Sequence, residues 1–331
     1  MQSSLGRSSS ISNHLNPYRE QLSSLALLLV SGTLMGTFLP ITKAAIRAGA
    51  VAFSYAFWTS LGSGLLVILI ARLARSTIRI ERGQLFFYLL TGGAGALIQY
   101  IGILVVQHIG SGLTGIIVML APLVTFAIAA GVRLEPLRLA RVCGRALGAC
   151  GTILIVSPYA TLPSSEQLDW LLTGLALPLM AGANLVYRSR AWPRGTDAFS
   201  VAGITSLSSA VILFPFAIVD EGLHIIRPIT QPVILWVLLH SVLGSLTLIL
   251  AMWLQRRAGP VFASQCCYVM TLTTMAAGAM FFEEHYSGWI WIGLAFIVVG
   301  IAVSSFTASA RPGNHNYLIR ITRSQALRRK M

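Results

Sequence analysis

The chain has 331 residues, of which 55% are apolar and 10% charged, with a mean hydropathy of +0.75. That is too apolar and too poor in charge for one or two water-soluble domains, and it points to an all-α, polytopic membrane protein. A net charge of +14 would suggest a nucleic-acid partner in a soluble protein. Here the basic residues lie between and beyond apolar spans, where they orient the chain in a lipid bilayer, so no nucleic-acid partner is expected.

In chain order, residues 1–21 read as a serine-rich, disordered tail. Ten apolar spans follow, at 22–46, 51–73, 85–106, 112–132, 141–158, 170–187, 200–219, 232–254, 260–282 and 289–308. Most are long enough to cross a hydrocarbon core of about 30 Å as helices. The alternating segments of about ten residues that mark a membrane barrel are absent. With the N-terminus inside, all of the 24 Lys and Arg except Lys43, Arg47 and Arg227 fall in cytoplasmic segments, so ten helices with both termini cytoplasmic are predicted. The four cysteines, Cys143, Cys150, Cys266 and Cys267, lie in or beside apolar spans with no metal-ligand spacing, and read as small buried hydrophobes. No metal or cofactor is implied.

The stretch from Gly110 to Ser157 returns from Gly259 to Phe306 at a constant offset of 149 residues. Gly110 then meets Gly259, Glu135 meets Glu284, Gly144 meets Gly293, and Gly151 meets Gly300. Five spans separate equivalent points, so the second copy runs through the membrane in the opposite sense. The expected organisation is a first repeat at 22–158, a linker at 159–169, a second repeat at 170–308 and a basic cytoplasmic tail at 309–331. Inverted repeats of this kind build secondary transporters, in which two halves rock about a shared site. Gly144, Gly151, Gly293 and Gly300 are expected to be helix-packing residues.

Three stretches resemble the drug/metabolite transporter superfamily in its EamA branch of ten-helix proteins. They are Gly36-Thr37-Phe38 with Lys43; Gly110 to Ile155, with Pro122, Leu134-Glu135-Pro136 and Gly144; and Gly259 to Ser304, with Phe282-Glu283-Glu284 and Gly293. The resemblance implies two EamA repeats and export of metabolites, amino acids or drugs, with relatives that exchange nucleotide sugars or triose phosphates. Three positions depart from the family's pattern. Met35 stands where a tryptophan is frequent, the second span reads Tyr55-Ala56-Phe57-Trp58-Thr59-Ser60 where an arginine is frequent, and Thr271 matches Pro122. The missing arginine argues against an anionic substrate.

Ionisable groups at membrane depth need a partner, a cavity or a route to the headgroups. His240, near the middle of its span, is either a titrating group coupled to transport or a structural histidine. Lys43 follows Pro40 and either snorkels to the interface or, as its family-matching position implies, faces a pore. Tyr55, Trp58, Gln99, Tyr100, Asn184, Gln265 and Tyr268 complete the candidate substrate cavity, against the alternative of interhelical bonding or interface anchoring.

The reading is a secondary active transporter in a bacterial inner membrane, exporting small molecules by alternating access, with protons as a candidate coupling ion and no catalytic residues. Its rivals are a polytopic membrane enzyme, a non-transporting membrane scaffold and, within transporters, an exchanger of phosphorylated metabolites.

Overall fold

The computed structural model describes residues 22–76, 78, 82–134, 143–144, 146–148, 150–151, 154, 165–221, 231–283 and 288–306. Both tails, Glu135, Glu284 and most of the expected span 141–158 lie outside the described residues. Every long described element is a helix: α1 (Leu22–Arg47), α2 (Ala52–Leu73), α3 (Leu85–Val118), α4 (Ala121–Gly131), α5 (Leu168–Ala191), α6 (Ala198–Glu221), α7 (Gln231–Ala258), α8 (Pro260–Phe282) and α9 (Gly288–Phe306). Among the described residues, seven helices are long and apolar enough to cross a membrane, and α4 and part of α9 are shorter apolar helices. Apolar side chains such as Leu73, Phe86, Val219, Met280 and Phe281 are exposed on the outside of the bundle. Such a surface is stable only under lipid, and the backbone groups beneath it are paired within the helices, as hydrocarbon requires. The chain is an integral multi-pass membrane protein.

Proline explains where the helices loosen. Pro40 has no N–H to give the carbonyl of Gly36, the pattern of α1 is interrupted at Thr37, and Thr274 Oγ1 of α8 donates to that carbonyl at 2.8 Å. A second glycine and proline four apart, Gly174 and Pro178, interrupt α5 at Leu175. The expected span 112–132 is divided at Met119 and Leu120, just before Pro122, and its first part is continuous with α3. What separates it from the preceding span is Gly110, at φ 81° and ψ 169°. Gly259, before α8, has φ 83° and ψ 174°. That region is closed to side chains, so only glycine re-aims the chain there without a loop.

Helix begins at Ser165, inside the expected linker 159–169. The spans 85–106 and 112–132 are joined by continuous helix through Gly110. One expectation needs correction. Cys143 and Cys150 are exposed, whereas Cys266 and Cys267 are buried as expected. Gly144, Gly148 and Gly151 form the buried face of that helix and a Cβ on Gly300 would strike the Gly144 carbonyl, so the cysteines point away from the contact. Gly293 is also buried.

The centre of the bundle is a seam of small residues where α2 crosses α6. Ser206 Oγ donates to the carbonyl of Ser60 at 2.9 Å. Ser63 Oγ donates to the Ser241 carbonyl of α7 at 3.3 Å, and Ser209 Oγ to the Gly92 carbonyl of α3 at 2.7 Å. A Cβ on Gly62 would collide with Ser241, and one on Gly92 with Ser208. Close backbone approach through small residues is how helices associate in lipid, where apolar burial alone gives no preference for protein neighbours over lipid. The two ends of the bundle are fixed by polar contacts. At the first, Lys43 and Arg47 at the end of α1 lie over the Phe282 ring at the end of α8, at 4.6 and 4.9 Å. At the second, Ser76 after α2 donates to Asp197, the residue before α6, and Arg256 near the end of α7 donates to the Thr196 carbonyl at 3.1 Å.

Candidate functional site

The first cluster lies where α1, α2 and α7 meet. Tyr55 OH is 2.9 Å from His240 Nδ1, their rings meet edge to face at 5.5 Å, and Phe38 stacks on the imidazole at 4.7 Å. Tyr55 is 2% exposed and His240 9%, so water does not substitute for this bond. Phe38 is placed by the interruption at Thr37, the residue before it. On the next turn of α2, Gln99 of α3 is gripped at both ends of its amide: Nε2 donates to Thr59 Oγ1 at 2.7 Å and Oε1 accepts from Ser60 Oγ at 2.8 Å. Trp58 packs edge-on against Phe57 at 5.1 Å, and its buried Nε1 has no hydrogen-bond partner. Tyr100 stacks on Phe53 at 3.8 Å.

Candidates from α2, α3 and α7 are thus brought towards one region, and others are not. Lys43 is half-buried over Phe282, at the first end. Gln265 is buried at the interruption of α8, and Tyr268 packs with Ile116, Met119, Met275 and Ile290, its hydroxyl 3.2 Å from where a Gly148 Cβ would stand. Thr271, where the resemblance expects proline, donates to the Gly115 carbonyl at 2.8 Å and ties α8 to α3. Asn184 stands on α5, nearer the second end, with Oδ1 buried and unpartnered.

Sequence reasoning missed two features of the site. Arg188, sorted with the cytoplasmic charges, has a buried Nε with no hydrogen-bond partner, one turn from Asn184 on the same face of α5. Second, α2 and α6 share a sequence pattern. Ala52-Phe53-Ser54 matches Ala198-Phe199-Ser200, and Thr59-Ser60-Leu61 matches Thr205-Ser206-Leu207, at an offset of 146 residues. Thr59 donates back to Tyr55 and Ala56 at 2.7 and 3.2 Å; Thr205 donates back to Val201 and Ala202 at 2.5 and 3.1 Å. Against that background the first cluster stands out, because Val201 occupies the place of Tyr55, Thr91 that of His240 and Leu248 that of Gln99.

At the second end, burial pushes the Asp197 carboxyl up, but hydrogen bonds from Ser200 and Ser76 outweigh it and hold the group below the usual range. The Ser200 backbone N–H donates to Oδ1 at 2.8 Å, which makes Asp197 the N-terminal cap of α6.

Residues 168–306, from α5 through α9, match the EamA-like transporter family. A solved structure described only as "Crystal structure of protein" shares the fold, with a TM-score of 0.65 and 22% identity over 86% of this chain and 97% of that one. No curated protein matches the sequence.

Proposed function

We propose that this chain, an EamA-type member of the drug/metabolite transporter superfamily, is a secondary active exporter of small metabolites, amino acids or drug-like compounds that works by alternating access. Ten helices in two inverted halves, both termini cytoplasmic in a bacterial inner membrane, make up the architecture. The observation that carries the reading is an exchange of contacts. Ser63 of α2 reaches the carbonyl of Ser241, and Ser209 of α6 reaches that of Gly92. Ser63 and Ser209 are equivalent at the α2/α6 offset of 146 residues, and Gly92 and Ser241 at the longer offset of 149. The Gly62–Ser241 and Gly92–Ser208 approaches exchange in the same way. Two halves related by a twofold axis make such paired contacts, and a seam of small residues shared in this way is one about which the halves can rock.

Within this cycle His240 links a proton to the helices. A charged imidazole between Phe38 and Tyr55 needs water or a counter-charge, so protonation favours the conformation that admits water to the cluster. The Tyr55–His240 pair has no equivalent in the other half, where Val201 and Thr91 stand, which makes the two faces of the pathway chemically unlike. Catalysis is disfavoured by the lack of convergence: among the described residues, those bonded to or stacked on His240 are a tyrosine and a phenylalanine, not a carboxylate or a thiol.

The test is accessibility in a variant without native cysteines. Single cysteines at Val51, near the first end, and at Arg194, near the second, are labelled with an impermeant reagent from each side of proteoliposomes. Crosslinking the first end shut is expected to raise labelling of second-end cavity positions such as Asn184→Cys, and the reverse for Trp58→Cys. Equal labelling of both cavity positions in both crosslinked states would overturn alternating access. Transport by wild type and His240→Gln between about pH 5 and 8 then tests the proton link, which fails if the two pH profiles coincide.

A further inference from the structure

Arg188 poses a physical problem that its place in the sequence does not. Its Nε is buried and makes no hydrogen bond, Asn184 one turn earlier has a buried Oδ1 without a donor, and no described acid pairs with the guanidinium. A buried polar group without a partner is destabilising, more so when charged, so a side chain that only marks the cytoplasmic face would be expected to turn outward to headgroups. Its neighbours Arg190 and Arg194 do so and are exposed.

The helix face shows what the stripe looks onto. Tyr187 stacks on Phe87 of α3 at 5.9 Å. Gln255 of α7 donates through Nε2 to the Leu185 carbonyl at 2.9 Å and to Ser189 Oγ at 2.8 Å. At about 100° per residue, Asn184 and Arg188 fall between those two directions, facing the cleft between α3 and α7. The Gln255 amide is fixed by its two donations, and that leaves its buried Oε1 without a partner. The spare capacity is thus one donor on Arg188 and two amide oxygens that only accept: the guanidinium fork suits a planar or tetrahedral oxyanion, and the amide oxygens suit a hydroxyl or ammonium group next to it on the same molecule.

We propose that Arg188 is the oxyanion-recognising group of a subsite at the second end of the bundle, taking the carboxylate or phosphate of a small solute, while the amide oxygens of Asn184 and Gln255 accept from a hydroxyl or ammonium group of the same solute. Its role as a substrate subsite rests on the transport reading; the binding itself does not. The same chemistry is offered by the headgroup of an anionic lipid, and the experiment separates the two sources.

Purified full-length protein in a neutral detergent is melted against increasing inorganic phosphate and, separately, citrate, at constant ionic strength. Either ion is expected to raise the melting temperature in a saturable way. Arg188→Gln should raise the concentration needed by roughly 10- to 100-fold, the loss of one charge-assisted hydrogen-bonded contact, while Arg190→Gln should leave it unchanged. In a parallel arm phosphatidylglycerol replaces the ions. An Arg188-dependent shift with lipid alone would support the subsite and assign it to a headgroup. No shift with any probe, or the same shift in wild type and Arg188→Gln, would overturn it. Should Arg188→Gln fail to fold, wild-type protein is modified with phenylglyoxal and mapped by mass spectrometry. Phosphate is then expected to protect Arg188 and not Arg190, and equal protection or none at both refutes the site. Lost binding would leave alternating access standing, and lost transport with binding intact would remove only the substrate role.

Discussion

Replacing Tyr55 with Phe removes a single oxygen from the first cluster and leaves its ring in place against His240. The hydroxyl and Nδ1 are 2.9 Å apart, with Tyr55 2% and His240 9% exposed, so no solvent fills the gap. Either tautomer of His240 is left with an unmet group, a bare lone pair or a bare N–H. Interhelical hydrogen bonds within membrane proteins average about 0.6 kcal/mol and reach about 1.7, and the burial here favours the upper part of that range. We expect Tyr55→Phe to cost about 1–1.5 kcal/mol. His240→Phe keeps a ring against Phe38, and the double variant, in which both ends are apolar, should recover most of the loss. The assay is a double-mutant cycle on reversible unfolding in bicelles, which isolates the pair from the ring contacts. If the single effects add within about 0.3 kcal/mol, the hydrogen bond does not contribute and the cluster is held by packing alone.

Three further outcomes are expected. Gly62→Leu and Gly92→Leu should each cost about 2 kcal/mol or more and by similar amounts, because the two glycines make exchanged contacts with Ser241 and Ser208; thermal melts that separate them widely would argue against the twofold relation. Asp197→Ala should destabilise the protein by about 1 kcal/mol through loss of the α6 cap. Since the folded carboxyl is held below its unfolded value of about 3.9, that stability is present above about pH 4 and fades as the pH falls through the lower folded value, so wild-type and variant melts should converge on acidification. Lys43→Met should reduce transport with little change in the amount of folded protein, and unchanged transport would assign Lys43 to its contact with Phe282.

The class of the protein was legible because it follows from composition, and the spans were legible because hydrocarbon admits only sequences that pair their own backbone. The boundaries inside the bundle were harder. The sequence reads 85–106 and 112–132 as separate spans, but Gly110 re-aims a continuous helix between them, and periodicity carries no record of a single residue's φ. The shared pattern of α2 and α6 was present in the sequence and escaped notice because its offset of 146 residues differs from the 149 of the more glycine-rich pair. For the candidate site, residue type suggested Tyr55, His240 and Gln99, but nothing in the spacing tells which pairs bond to each other. Only the crossing of α1, α2 and α7 brings Tyr55 to His240, and only the approach of α3 brings Gln99 to Thr59 and Ser60.

Arg188 shows the limit of reading charge by position. The rule that sorts Lys and Arg to the cytoplasmic side acts during insertion and is satisfied by any basic residue near a span's end, wherever its side chain later points. Folding then imposes a second condition, set by which helix faces are turned inward. Arg188, Arg190 and Arg194 meet the first condition alike, and only Arg188 has a buried, unpartnered nitrogen beside Asn184. The absence of an arginine from α2 argues against an anionic cargo. Under the proposed inverted-repeat arrangement a guanidinium on α5 answers that objection, because a site shared by two halves needs its charge from only one of them. The pair Tyr55 and His240, with Val201 and Thr91 at the matching places, is a difference between the halves that such a site would use to orient its solute.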